Sequence, residues 1–153
     1  MADTSLWQGI VDAVVSHAAA SGHFRKVQGH EPKNAPGRDL TCAVWVQGVR
    51  TSRSSGLAGV AVTLTLTVRL YSPMLEDPQD AIDPRLLRAL DELCEAYAGD
   101  FTLGGRVRNV DLFGGEGQPL GATAGYLSQD NRTFRIYDVT LPMVINDRWE
   151  ESP

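Results

Sequence analysis

The histidines and cysteines are the residues in this 153-residue sequence best able to bind a metal. His17, His23 and His30 precede Cys42, and imidazole and thiolate groups are the usual ligands of zinc. Their spacing, however, includes neither an H-x-x-x-H pair on one helix nor a C-x-x-C pair, the arrangements that place two ligands on one ion. We therefore expect no metal site.

Other short patterns also favour structure over catalysis. The segment GGEGQPLG lacks the G-K-[ST] ending of a phosphate-binding loop and opens no helix, so it predicts a hairpin turn. Asp91, Glu92 and Glu95 fall on one predicted helix face, where like charges are usually solvated. Nucleophile patterns such as G-x-S-x-G are absent from the sequence. We expect neither an enzyme nor a bound cofactor.

Composition indicates one globular domain spanning residues 1–153, with 42% hydrophobic and 22% charged residues. The net charge of -5 argues against a protein that grips nucleic acid phosphates, although DNA could pass it without specific binding. Cys42 and Cys94 lie in apolar patterns typical of buried thiols in a reducing compartment. No signal or membrane-spanning pattern is visible, so we expect a cytoplasmic product with no membrane contact.

The first half of the chain predicts one helix and two strands. Helical spacing runs from residue 3 to residue 21, with apolar positions at Leu6, Ile10, Val11, Val14, Val15 and Ala18. An exposed connection is expected to follow, and then a hairpin of two strands, 40–50 and 57–71, joined by TSRSSG. In the second strand one face is apolar and should be buried: Val60, Val62, Leu64, Leu66, Val68 and Leu70. The other face should be wet or packed on a neighbouring subunit: Thr63, Thr65, Thr67, Arg69 and Tyr71.

The second half predicts one helix and three strands. Asp83 as N-cap and Pro84 in the first turn should begin a helix that Gly99 ends. Its predicted apolar stripe contains Leu86, Leu87, Leu90, Leu93, Cys94 and Tyr97. Strands are predicted at 106–113, 120–128 and 133–144, and Pro142 should place the last one at an edge or in a bulge. The fold class is thus α+β, with a single mostly antiparallel sheet of about five strands and two helices packed on one face.

Several exposed positions are candidates for contacts with a partner. The loop SPMLEDPQD combines prolines and acids with an apolar tip, so we select Met74, Leu75, Glu76 and Asp77. Arginine suits interfaces because its planar fork is weakly hydrated. The further candidates are Arg50 and Arg53 near the first hairpin turn, Arg69 and Tyr71 on the polar sheet face, Arg106 and Arg108 on a later strand, and Trp149. Trp149 could instead fold back onto its own core.

Two long stretches carry a family resemblance. DPQDAIDPRLLRALDELCEAYAGDFTLGGRVRNVDLFG and GYLSQDNRTFRIYDVTLPMVINDRWE, together with the first helix and RLYSPM, resemble the tail terminator proteins of long-tailed phages, especially those infecting actinobacteria. The resemblance implies a small subunit that forms a closed ring, commonly a hexamer, on the tail tube. Such a ring stops tube polymerisation and provides the surface that joins the head, without cofactor or reaction. Its implied partners are copies of itself, the tail tube protein and a head completion or connector protein, and its location is the neck of the virion.

The residues themselves also favour a ring. Closed rings need two different, complementary patches on each subunit, and strand edges and long loops can provide them. An acidic subunit also suits a channel along which DNA slides. Two alternatives remain open: another neck component, such as a head completion or stopper protein, and a monomeric small-molecule binding domain or enzyme.

Overall fold

The computed structural model of the chain describes residues 4–33, 39–52, 59–74 and 79–150. These residues form two α-helices, α1 (Thr4–Ala20) and α2 (Ile82–Gly99), the second preceded by a 3₁₀ turn (Gln79–Ala81). They also form six strands: β1 (Lys26–Gln28), β2 (Thr41–Thr51), β3 (Gly59–Pro73), β4 (Asn109–Val110), β5 (Gly121–Gln129) and β6 (Arg132–Glu150).

All six strands belong to one sheet. Its order is β1-β2-β3-β6, and β5 and β4 pair one after the other along the remaining side of β6. β1 runs parallel to β2, and the other pairs are antiparallel. The predicted α+β class with a single sheet is confirmed, although the sheet is mixed rather than mostly antiparallel. The exposed connection predicted after α1, residues 27–39, is wrong at residues 27 and 28, which belong to β1.

Both helices pack on the same face of the sheet, where the apolar alternation of β3 is buried as predicted. From α1, Ile10, Val14 and Ala18 are fully buried in this core, and α2 adds Leu86, Leu93 and Tyr97. Burying each large apolar side chain stabilises the fold by about 1.5–3 kcal/mol. The predicted stripes are confirmed except at Leu87, which is 48% exposed because it faces away from the sheet.

The start of α2 differs from the prediction. Its N-cap is Ala81, which makes no side-chain cap, so Asp83 already lies in the first helical turn. Pro84 is tolerated there because the first turn needs no amide donor. The Asp83 carboxylate instead accepts hydrogen bonds from Arg135 of β6, the shorter at 2.9 Å from Nε to Oδ1.

The predicted strand 106–113 is also wrong for most of its length. Only Asn109–Val110 pairs with β6, and residues 100–108 form a series of turns after α2. Leu103 is fully buried within these turns and has a positive φ of 49°. Backbone strain at a non-glycine residue is tolerated here because the side chain fills the core.

β6 is a central strand, contrary to the expectation that Pro142 would place it at an edge. β3 pairs along one side of it, while β5 pairs up to Thr140 on the other side and β4 begins at Met143. Pro142 falls in the gap between β5 and β4. The Pro142 carbonyl accepts a hydrogen bond from the Asp111 amide at 2.9 Å. Proline has no backbone N–H, and none of the described strands has an acceptor paired at this position on that side of β6.

The predicted turn between the last two strands is confirmed as a two-residue hairpin loop. Asp130 and Asn131 have φ values of 53° and 61°. Two successive positive φ values are the mark of a type I′ turn, whose twist matches that of the flanking strands.

Candidate interaction surface

The face of the sheet opposite the helices, here called the open face, is partly covered by the chain itself. Tyr71 and Phe134 meet edge to face at 6.4 Å in a second apolar cluster, with Trp45 and Leu127 packed against it. Tyr71 is only 1% exposed. The expectation that its side chain lies on a wet or partner-covered face is therefore wrong, because aromatic neighbours in β6 and β2 bury it.

Arg69 on the same face has its partners within the chain. It lies opposite Asp138 in β6, and its Nη2 is 3.0 Å from the Asp138 Oδ2 in a two-pronged ion pair. Its guanidinium also lies 5.1 Å from the Trp45 ring. The hydrogen bonds to Asp138 raise the pKa of Arg69 above its ordinary value. This predicted contact residue thus ties β3 to β6 and leaves little free charge for a partner.

Three other predicted contact residues come together at one end of the sheet. This distal end is formed by residues 49–51 of β2, 59–63 of β3 and 144–150 of β6. Arg50 Nη2 donates to the Glu116 carbonyl at 2.8 Å, and Arg108 Nη1 donates to Asn146 Oδ1 at 3.1 Å. Trp149, near the end of β6, is 45% exposed.

A loop of residues 111–120 crosses the distal end of the sheet, with Leu112 and Leu120 packed against the main core. It follows β4, yet it reaches Arg50 of β2 although β3 and β6 lie between those strands. Asp111 holds the loop: its side chain is nearly buried and accepts hydrogen bonds from the Gly115 and Glu116 amides, both at 2.9 Å. The loop is thus fixed by its own buried carboxylate.

This fixed loop presents Phe113, which is 92% exposed. A large aromatic ring in water on an ordered loop loses little conformational entropy on binding and is a favoured interface anchor. The sequence pattern predicted Phe113 as the last residue of the strand 106–113, and Phe113 was not among the predicted contact residues. The available signal was its position directly before Gly114 and Gly115, where a turn begins.

The opposite, proximal end of the sheet contains an open groove of about 210 Å³, lined by Met74, Asp80, Ile82, Asp83, Tyr126 and Arg135. Arg135 pairs with Asp83, donates to the Gly125 carbonyl at 3.3 Å and lies 4.5 Å from the Tyr126 ring. Its charge is therefore already neutralised. Met74 is half-buried in this groove, and its amide donates to the Thr133 carbonyl.

The remaining predicted contact residues divide into two groups. Arg106 is exposed, but its Nη1 donates to the Leu103 carbonyl at 3.0 Å and its side chain passes Gly9 of α1. Arg53, Leu75, Glu76 and Asp77 lie outside the described residues.

Two of the three histidines each pair with one acid, and His30 contacts the Glu31 carbonyl. His17 Nε2 lies 2.9 Å from Asp100 Oδ2, and His23 contacts Glu92. Among the described residues, no three histidine, cysteine or acidic side chains form a group that could hold a metal. The hydrogen bond from His17 is the main reason that the pKa of Asp100 lies below its ordinary value.

Comparison with models of known protein families found no matching family, and comparison with curated proteins found no significant match. Neither of the two described helices is long and apolar enough to cross a membrane.

Proposed function

We propose that this chain is a structural virion protein, a tail terminator that forms a ring on the phage tail tube. In this role it stops tube polymerisation and offers the surface to which the head is joined. Support comes from the resemblance of its sequence and from one observation above all: Phe113 is held almost fully in solvent by an ordered loop.

The exposed apolar surface is arranged for a macromolecular partner. Phe113, Val49 and Trp149 are 92%, 44% and 45% exposed, and all three belong to the distal end or to the loop that crosses it. Aromatic and apolar side chains at a protein interface supply most of its binding energy. We assign the distal end to the contact with the tail tube protein or with the head completion or connector protein.

The charged groups on the open face and in the proximal groove favour this proposal over a small-ligand site. Arg69 on the open face and Arg135 in the proximal groove each have a carboxylate partner within the chain. A ligand would have to replace those ion pairs, and removing one partner of a partly buried pair is costly. Recognition by shape and apolar contact needs no such exchange.

Tube assembly tests the proposal. Purified chain added to polymerising tail tube protein should bind tube ends and arrest elongation, as seen by negative-stain electron microscopy. Phe113→Ala should reduce tube-end binding at least about tenfold while changing the unfolding free energy by less than about 0.5 kcal/mol, since the ring is exposed. Phe101→Ala, another exposed phenylalanine, is the matched control.

Two results would count against the proposal. Tubes that continue to grow in the presence of the wild-type chain would contradict a terminator. A chain that binds a head connector but ignores tube ends would instead indicate another neck component, the second of the roles inferred from the sequence.

A further inference from the structure

We propose that neighbouring copies join edge to edge, the outer edge of β2 in one copy pairing antiparallel with the outer edge of β5 in the next. This inference rests on the proposed ring function and specifies how its subunits meet. The partner is a second copy of the chain, and the recognition is by backbone hydrogen bonds.

The sheet ends in two different free edges. β2 has 11 residues, of which three pair with β1, so among the described strands residues 44–51 have no neighbour on their outer side. β5 has nine residues, and β6 is its one partner within the part of the chain that the structure describes. The free segments are therefore similar in length, and their difference makes the contact heterologous, as ring closure requires.

The chemistry of both edges permits strand addition. β5 has neither charge nor proline, the devices by which natural proteins usually protect an edge. Four of its residues, Gly121, Ala122, Ala124 and Gly125, have minimal side chains that let another backbone approach. In the free part of β2 the one charged side chain is Arg50, and its guanidinium turns to the Glu116 carbonyl.

Strand directions fit as well. Because β2, β3, β6 and β5 are antiparallel in succession, β2 and β5 run in opposite directions within one copy. Rotation about a ring axis preserves the sense of each strand along that axis, so β5 of the next copy would extend the antiparallel alternation beyond β2.

The two edges are offset along the strands by an amount that suits a closed, curved sheet. Through the registers, residues 44–51 of β2 lie level with residues 139–145 of β6, whereas β5 lies level with residues 132–140. The midpoints differ by about six residues, or about 20 Å, and each copy spans four strand spacings of about 4.8 Å when the joint to the next copy is included. The ratio of this offset along the strands to the width across them corresponds to a strand tilt of about 45°, close to the tilt in closed barrels.

A bulge between Val46 and Gly48 interrupts β2. Bulges can deter edge pairing, but they also add the twist and bending by which a sheet closes on itself. In this position the bulge supplies curvature next to the proposed joint.

The amides that would form the joint can be identified. The amides of Asp111 and Arg108 donate to the carbonyls of Pro142 and Val144. The backbone N–H and C=O groups of even-numbered β6 residues therefore face β4 and β5. In β5 the backbone groups of the odd-numbered residues therefore face β6. Those of the even-numbered residues face outward: Ala122, Ala124, Tyr126 and Ser128. Proline at Ala124 removes an outward donor and spares the pairing with β6.

The test combines hydrogen exchange with a matched pair of variants. Assembled wild-type protein should exchange the outward amides of β5 and of residues 44–51 at least about tenfold more slowly than dilute monomer, whereas the amides that face β6 or β3 should change little. Ala124→Pro should weaken self-association about tenfold for each hydrogen bond lost, whereas Ala124→Ser should assemble normally. Equal melting temperatures of the two monomers would show that the proline leaves the fold intact.

The outcomes separate this inference from the proposed function. Rings that cap tubes while both edges exchange rapidly, or Ala124→Pro rings as stable as Ala124→Ser rings, would refute edge pairing and leave the terminator role standing. Open chains of copies with protected edges would support edge pairing and argue against a ring. A chain that stays monomeric at all concentrations, with tube protein present or absent, contradicts edge pairing.

Discussion

Replacing Asp111 should release the loop of residues 111–120. Asp111 is 6% exposed, and its carboxylate accepts two backbone hydrogen bonds, from Gly115 and Glu116. A hydrogen bond to a charged group contributes about 1.5–3 kcal/mol, and we use the lower end because the acid is hydrated again on unfolding. Asp111→Ala should therefore lower the unfolding free energy by about 3 kcal/mol, whereas Asp111→Asn, which keeps one acceptor, should lose about half as much.

Urea titration followed by circular dichroism measures these differences, and calorimetry should show the Asp111→Ala melting temperature lowered by about 6–12 °C. Asp91→Ala on the exposed face of α2 is the control and should stay within about 0.5 kcal/mol of wild type. An Asp111→Ala protein as stable as this control would refute the view that the carboxylate holds the loop. Loss of tube-end binding in the Asn variant should be smaller than in the Ala variant, because Phe113 would be less displaced.

Three further predictions concern pH, thiols and one buried hydroxyl. Because the folded pKa of Asp100 is lowered from 3.8 by its bond to His17, this interaction stabilises the fold above about pH 4 and is lost as pH falls through the folded pKa. Melting temperature against pH should therefore fall less steeply below about pH 4 for Asp100→Asn, and parallel acid limbs would contradict the pairing. Burial raises the pKa of Cys42 to about 12, so a chromogenic thiol reagent at pH 8 should label half-buried Cys94 first and Cys42 only on unfolding. Equal native rates would argue against that burial. Tyr97→Phe, which removes a 3.1 Å bond to an α1 carbonyl, should cost about 1 kcal/mol in urea titration, and no change would show that the bond is not stabilising.

The parts of the fold that local pattern determines could be predicted from the sequence. The alternation of β3 fixed its buried face because a shift of one residue would expose every apolar side chain. Helical spacing identified both helices, and Asp130 with Asn131 identified the last hairpin because few residues accept two positive φ values. In each case the cause lies within a few residues of its effect.

The remaining features depend on contacts that are distant in sequence. β1 exists because three residues find the edge of β2, and Tyr71 is buried because Phe134 comes from a strand more than sixty residues later. Asp83 likewise pairs with Arg135, which lies 52 residues later in the chain, and does not cap the helix. Local propensity alone contains no information about such partners.

The candidate surface was only partly predictable. Residue type alone singled out Arg50, Arg108 and Trp149, and the structure brings all three to the distal end. Phe113 was missed because its exposure follows from the fixing of its loop by Asp111, which the sequence pattern does not display.

Pro142 lies in β6 between the segment that pairs with β5 and the segment that pairs with β4, and the loop of residues 111–120 connects those two strands. Since none of the described strands is bonded beside Pro142 on that side, the chain leaves the sheet at Asp111 and returns at Gly121 with the ladders before and after undisturbed. Insertions or replacements between residues 113 and 119 that keep the Asp111 carboxylate should therefore leave the strand pairing on either side in register. An exchanged segment could match a different partner while the sheet and helices around it stay unaltered.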